Sequence, residues 1–198
     1  MSADGKQLAF VSSRSGNQDI WLKDLKAGEE KPLVASPAKE CIPRVSPDGN
    51  WVSYSADGGV HIVPRKGGMV RRVCNEFGTL HSWSPDNRFL CSGDGTVSLI
   101  NLATGEISDY LKPSQSSLFL AKFTRDGHWV TLAALERQAS PLRLEVLASP
   151  FRPDARSEQT DWIRVVSDQY YNDKPAWSDG NRIYFVSDRD GSALVTAG

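Results

Sequence analysis

Chemistry in this chain has to be assembled from a sparse set of side chains. Acyl-bond hydrolysis needs a nucleophile, a base to take its proton and donors for the oxyanion, and Gly-x-Ser-x-Gly is one recurrent way of presenting the serine. No such pentapeptide occurs, and the histidines His61, His81 and His128 lie in different copies of the repeat described below. His128 follows Gly127 in a turn-to-strand position held elsewhere by Lys6, Asn50 and Arg88, which reads as a solvated turn residue. The expectation is a chain that is not an enzyme and has no catalytic residue of its own.

Metal and cofactor chemistry fares no better. Asp188-Arg189-Asp190-Gly191 gathers carboxylates in a short loop, and oxygen-rich loops can hold calcium. The matching stretch Ser13-Arg14-Ser15-Gly16 keeps the glycine without a carboxylate, so the shared requirement is a turn and no metal site is assigned. Cys41, Cys74 and Cys91 lack metal-ligand spacing and cannot all pair, and they read as buried thiols. Nothing calls for a cofactor.

Aromatic rings are the remaining candidates. Trp162, Tyr170 and Tyr171 fall near a Pro- and charge-rich stretch, whereas Trp51, Phe89, Trp129 and Phe185 occupy repeated positions and read as packing. Tyr170 and Tyr171 lie between expected strands, just ahead of one, in a connection free to meet a partner; they are the candidate partner-binding residues, for a protein or peptide. With 23 Lys plus Arg against 24 Asp plus Glu and a net charge of −1, the chain lacks the basic field that nucleic acid demands. No apolar run is long enough for membrane insertion, and Met1 leads straight into a turn phrase with no signal peptide, so the sequence as it stands reads as cytoplasmic, or periplasmic if truncated.

The elements that must position these residues announce themselves by repetition. A turn phrase recurs as Ser2-Ala3-Asp4-Gly5, Ser46-Pro47-Asp48-Gly49, Ser84-Pro85-Asp86-Asn87, Thr124-Arg125-Asp126-Gly127 and, shortened, Ser178-Asp179-Gly180. The aspartates of the four full versions are 44, 38 and 40 residues apart, the period of a four-stranded propeller blade. Pro fixes φ at the first corner, Asp caps the turn, and Gly takes the left-handed conformation that closes a hairpin; Asn87 is the best substitute for that Gly. After each turn an apolar column runs Leu8, Val52, Leu90, Val130, Ile183 beside a column Ala9, Ser53, Cys91, Thr131, Tyr184 that is small except in the last repeat.

Innermost strands are expected upstream of the turns (42–45, 80–83, 118–123 and 175–177), with third and fourth strands downstream. That order is an antiparallel meander, so the fold class is all-β, a β-propeller of about five repeats over 1–37, 38–75, 76–113, 114–168 and 169–198. The wide fourth interval places an inserted loop at 149–161. The first repeat lacks an innermost strand and the last an outermost one, the expectation for a fragment of a larger ring or an open arc.

The run Pro43-Arg44-Val45-Ser46-Pro47-Asp48-Gly49-Asn50, and Asp173 through Gly191 in its most regular form, resemble the bacterial TolB-like repeat, a relative of the WD-repeat propellers, over nearly the whole chain. The Trp-Asp dipeptide of true WD repeats is absent. The resemblance implies a propeller of the kind found in envelope proteins, in sensor halves of bacterial kinases and regulators, and in the gating propellers of prolyl-oligopeptidase-like peptidases. It carries over no functional residue. The expected function is a non-catalytic scaffold that binds protein or peptide within a larger bacterial protein, with peptidase gating or sensing as the alternatives.

Overall fold

The computed structural model describes the chain except residues 3, 76–78, 87, 94, 125, 137–142, 153–156, 167, 179–181, 192–193 and 198, and the backbone alone at 79–81, 88–93 and 194–197. The turns at Asn87 and Asp179-Gly180 therefore lie outside the described residues.

Among the described residues, eighteen strands form separate antiparallel sheets, each drawn from one continuous stretch of chain. The first holds β1 (Gln7–Ser12), β2 (Asp19–Asp24) and β3 (Glu30–Val34). The second holds β4 (Cys41–Val45), β5 (Trp51–Ala56), β6 (Gly59–Pro64) and β7 (Arg71–Cys74), and the third β8 (Thr79–Trp83), β9 (Arg88–Gly93), β10 (Thr96–Asn101) and β11 (Ile107–Leu111). The fourth holds β12 (Ser116–Phe123), β13 (Trp129–Glu136), β14 (Leu144–Pro150) and β15 (Ile163–Val166). The fifth holds β16 (Asn172–Trp177), β17 (Ile183–Ser187) and β18 (Leu194–Ala197). Every sheet is a meander in sequence order, the construction of a propeller blade, and the only helix among the described residues is one 3-10 turn, Gln159–Asp161.

The turn phrase owes its recurrence to a hydrogen-bonded clamp. Ser2, Ser46 and Thr124 each donate a hydroxyl hydrogen to the aspartate two residues on, at 2.7, 2.5 and 2.5 Å, and Ser84 does the same to Asp86. The same hydroxyls accept from the amides of Gln7, Trp51 and Trp129 at 2.9, 2.9 and 3.1 Å. The carboxylates accept in turn from Lys6, Asn50 and His128 N–H at 3.1, 3.0 and 3.0 Å. Gly5, Gly49 and Gly127 close the turns at φ 69, 70 and 73°, the left-handed region that glycine enters without steric cost.

A second repeated feature has no counterpart in the expected pattern. Ile42, Leu120 and Lys174 sit at φ 53, 55 and 53°, each four residues before the turn Ser or Thr, where β4, β12 and β16 skip register against their partners. They are β-bulges in innermost strands, and left-handed backbone is unfavourable for such residues, above all β-branched Ile42.

Two compact units divide the chain: Met1–Cys91 with Ile100–Glu106, and Ser92–Leu99 with Ile107–Gly198. In the first, Ala9, Ile20, Leu22 and Val34 pack with Val52, Tyr54, Ala56 and Val63. A second cluster gathers Val60, Ile62, Cys74, Trp83 and Ile100, and the Trp83 indole donates to Ser53 Oγ at 2.9 Å, which gives the small residue of that column its role. In the second unit, Val146 and Ala148 pack with Ile183 and Phe185. Tyr184, the large member of the small column, is 36% exposed and so escapes the packing that keeps Ser53 and Thr131 small. Ser149 and Pro150, expected in a loop, complete β14 because they pair with Val130 and Trp129. Cys74 is buried, Cys41 only half-buried, and the Cys91 side chain lies outside the described residues.

Two outcomes follow from the clamp. Ser46→Ala leaves the Trp51 amide and the Asp48 carboxylate short of a partner and lowers stability by about 1–2 kcal/mol, read as a reduced denaturant midpoint at unchanged m-value. The carboxyls of Asp4 and Asp126 are held below their usual range by the hydroxyl of Ser2 or Thr124 and then by the amide of Lys6 or His128. Burial raises Asp48, but the bonds from Ser46 and Asn50 outweigh it. Depressed folded values stabilise the protein above the unfolded carboxylate pKa of about 4, and that contribution is lost as pH falls through the folded values, so the melting temperature drops on acidification.

Candidate functional site

The fourth wide interval folds back on its own unit. The Tyr110 hydroxyl donates to the Pro150 carbonyl at 3.0 Å, the Ser157 amide donates to the Tyr110 carbonyl at 3.2 Å, and the Phe151 ring meets the rings of Tyr110 and Phe123 edge-on at 5.5 and 4.7 Å. Ser149 and Ser157 hydroxyls bond at 2.6 Å, and the Trp162 indole donates to Ser157 at 3.2 Å. Burial drives the Tyr110 phenol pKa up to about 12, against hydrogen bonds from Ser149 and Arg152 that lower it.

This excursion closes one side of a polar groove of about 460 Å³. Ser114, Gln115 and Ser116, which lead into β12, form a second side, with Ser114 bonded to Gln159 at 3.3 Å. Glu136 and Arg143 flank the β13–β14 connection, Glu145 and Leu147 rise from β14, and Arg164 comes from β15, the edge strand of its sheet. Arg164 approaches Glu145 at 3.8 Å with its own side chain 72% exposed, a pairing too solvated to lock it. The groove thus offers two guanidinium groups, two carboxylates, amides, hydroxyls and one indole face. Such a lining can hydrogen-bond and pair charges with a ligand, which contributes selectivity more than raw affinity.

Neither Tyr170 nor Tyr171 lines this groove, but the chain carries Tyr171 next to it. Tyr171 forms a lone parallel bridge with Leu144, whose sequence neighbours Arg143 and Glu145 are groove residues. The Tyr171 amide donates to Asp188 at 2.9 Å and the Tyr170 amide to Asp168 at 3.0 Å. Asp168 also accepts from Asn172 Nδ2 at 2.7 Å and from Arg189 Nη2 at 3.1 Å, so the loop is fastened from both sides. Tyr171 is 40% exposed, with its phenol raised by burial and then by the charge of Asp173, and Tyr170 is half-buried. Polar groups of the groove escape sequence reading because Ser114, Gln115 and Arg143 belong to no repeated column; the one available signal was Trp162 beside the excursion.

The residues weighed for catalysis stand apart. His128 is exposed in its turn, and His61 is stacked on Tyr54 with centroids 5.3 Å apart and lowered by burial and then by Arg72. The side chain of His81 lies outside the described residues. Asp188, weighed for calcium, accepts from the Tyr171 amide, and among the described residues no three His, Cys, Asp or Glu side chains converge as metal ligands. No helix of the described residues is long and apolar enough to cross a membrane.

Comparison with known proteins supports the architecture. No protein-family model matches the chain. It is 25% identical over 96% of its length to tricorn protease homolog 1 of Streptomyces coelicolor, and 27% identical over 66% of its length to the uncharacterized peptidase YuxL of Bacillus subtilis. It covers only 19% and 22% of those proteins, about a fifth of each. The crystal structure of TolB from Acinetobacter baumannii superposes with a TM-score of 0.73 at 17% identity, over 97% of this chain and 50% of that one. The fold is therefore that of the TolB-like and peptidase β-propellers.

Arg143 and Arg164 are both exposed. The double variant Arg143→Ala/Arg164→Ala keeps the stability of the parent within about 0.5 kcal/mol, checked by urea unfolding, which makes it a clean probe of the groove.

Proposed function

We propose that this chain is a non-catalytic propeller region of a larger bacterial protein and that it captures peptide segments, or extended segments of a partner protein, in the groove beside β15. The observation that carries the reading is the groove itself: two guanidinium and two carboxylate groups with an indole, held by a folded excursion that the repeat does not need. Tyr171, bridged to Leu144 at the groove's border, extends the same surface, with Tyr170 beside it. The peptidase names of the relatives favour one version of this role, in which the propeller admits peptides to a catalytic domain carried elsewhere in the protein.

The test is capture of a randomised peptide library by the full chain, followed by titration of enriched peptides. Arg143→Ala/Arg164→Ala weakens them at least tenfold, about 1.4 kcal/mol, and Tyr170→Ala/Tyr171→Ala weakens them further. Unchanged affinity in both variants would overturn the site, and hydrolysis of the peptides by the purified chain would overturn the non-catalytic reading.

A further inference from the structure

In the other unit, two carboxyl groups are buried together. Asp19 opens β2 and Glu40 immediately precedes β4, and each residue is 1% exposed. Each has one oxygen occupied, Asp19 Oδ2 by the Ser15 hydroxyl and Glu40 Oε1 by the Ser36 hydroxyl. The other oxygen of each, Asp19 Oδ1 and Glu40 Oε2, is buried with no conventional donor. The two side chains also interact with one another, and Asp19 disfavours the charged form of Glu40.

The pair sits where two connections are clasped. Asn17 Nδ2 donates to the carbonyls of Ser36 and Ala38, both at 2.7 Å, and the Glu40 amide donates to the Gln18 carbonyl at 2.8 Å. The β1–β2 loop is thereby fastened to the segment between β3 and β4. Two ionised carboxylates cannot be held together under burial, whereas one proton between them satisfies both orphaned oxygens at once.

We propose that Asp19 and Glu40 share a single proton and form a pH-sensitive latch between the β1–β2 loop and the β3–β4 segment. In the closed state one carboxyl donates to the other carboxylate. When base removes the proton, the pair passes from one negative charge to two, the donor is lost, and repulsion loosens the clasp. The groups facing the pair are consistent with this: Ser15 and Ser36 are neutral donors, and Tyr54 of β5, whose phenol is driven to about 12 by burial and then by the charge of Glu40, stays protonated. Among the charged groups, the one acting on Glu40 is Asp19. Burial is the largest cause of the rise at Glu40, opposed by the Ser36 bond and reinforced by Asp19. A folded value above the unfolded one stabilises the protein at low pH, and that contribution is lost as pH rises through the folded value.

The full chain tests this by thermal unfolding from about pH 5 to about pH 9, with and without calcium, together with a carboxyl-carbon NMR titration of Glu40. The latch predicts a Glu40 midpoint above the usual carboxylate range and a melting temperature that falls on the alkaline side, by about 3–5 °C for each unit of elevation in a chain of this length. Glu40→Gln, which keeps a donor without a titrating group, removes that fall, and Asp19→Asn, which takes away the neighbouring carboxylate but leaves Glu40 buried, reduces it. A Glu40 midpoint near 4, or an alkaline fall that persists in both variants, overturns the latch. Calcium restoring the melting temperature of the parent at about pH 9, and not of Glu40→Gln, would assign the pair to a cation and overturn the shared proton.

Discussion

The second and fourth sheets of this protein depend on turning the chain sharply between the innermost strand and the next, and one side-chain arrangement does it at both turns. A Ser or Thr hydroxyl stands at the hinge as both donor and acceptor: it gives its hydrogen to an aspartate two residues on and takes the amide of the first residue beyond the turn. The carboxylate then holds another amide in the turn, and a backbone bond from the Ser or Thr amide to the carbonyl five residues on seals the hairpin. Each bond is worth about 1 kcal/mol net, but they share atoms and act as one unit, so the hairpin register is held by contacts local in sequence. With that register set, Val52 and Val130 reach the core and Ser53 comes to meet the Trp83 indole.

This is why the architecture was legible in the sequence. Turn chemistry is local, recurs about every forty residues, and requires particular residue types: a hydroxyl, a carboxylate two positions later, and glycine at φ near 70°. The left-handed residues Ile42, Leu120 and Lys174 were not legible, because nothing in their side chains prefers that backbone. Loop limits failed for a related reason. Ser149 and Pro150 read as loop residues, yet pairing with Trp129 and Val130 extends β14 over both. The candidate site was legible in part. Tyr171 does sit in the neighbourhood of the groove, but the groove's own charged residues come from positions without a repeated column, where one sequence offers no pattern to compare.

The two unusual polar constructions lie on different parts of this scaffold and follow opposite logic. Around the groove, the Arg143 and Arg164 guanidiniums stay in water and can be offered to a ligand at little cost to the fold. At Asp19 and Glu40, carboxyls are withdrawn from water, and what they contribute depends on how many protons they hold. A scaffold whose hairpins are set by local clamps can carry both, since neither is needed to specify a strand register.

The central claim is that each clamp acts locally, on its own hairpin. Amide hydrogen exchange in Thr124→Val, which removes the hydroxyl and keeps the shape, tests it most directly. The account predicts that the Trp129 and His128 amides lose protection while those of Gln7 and Trp51 at the equivalent turns keep theirs. Retained protection at Trp129, or an equal loss at all three turns, would contradict it.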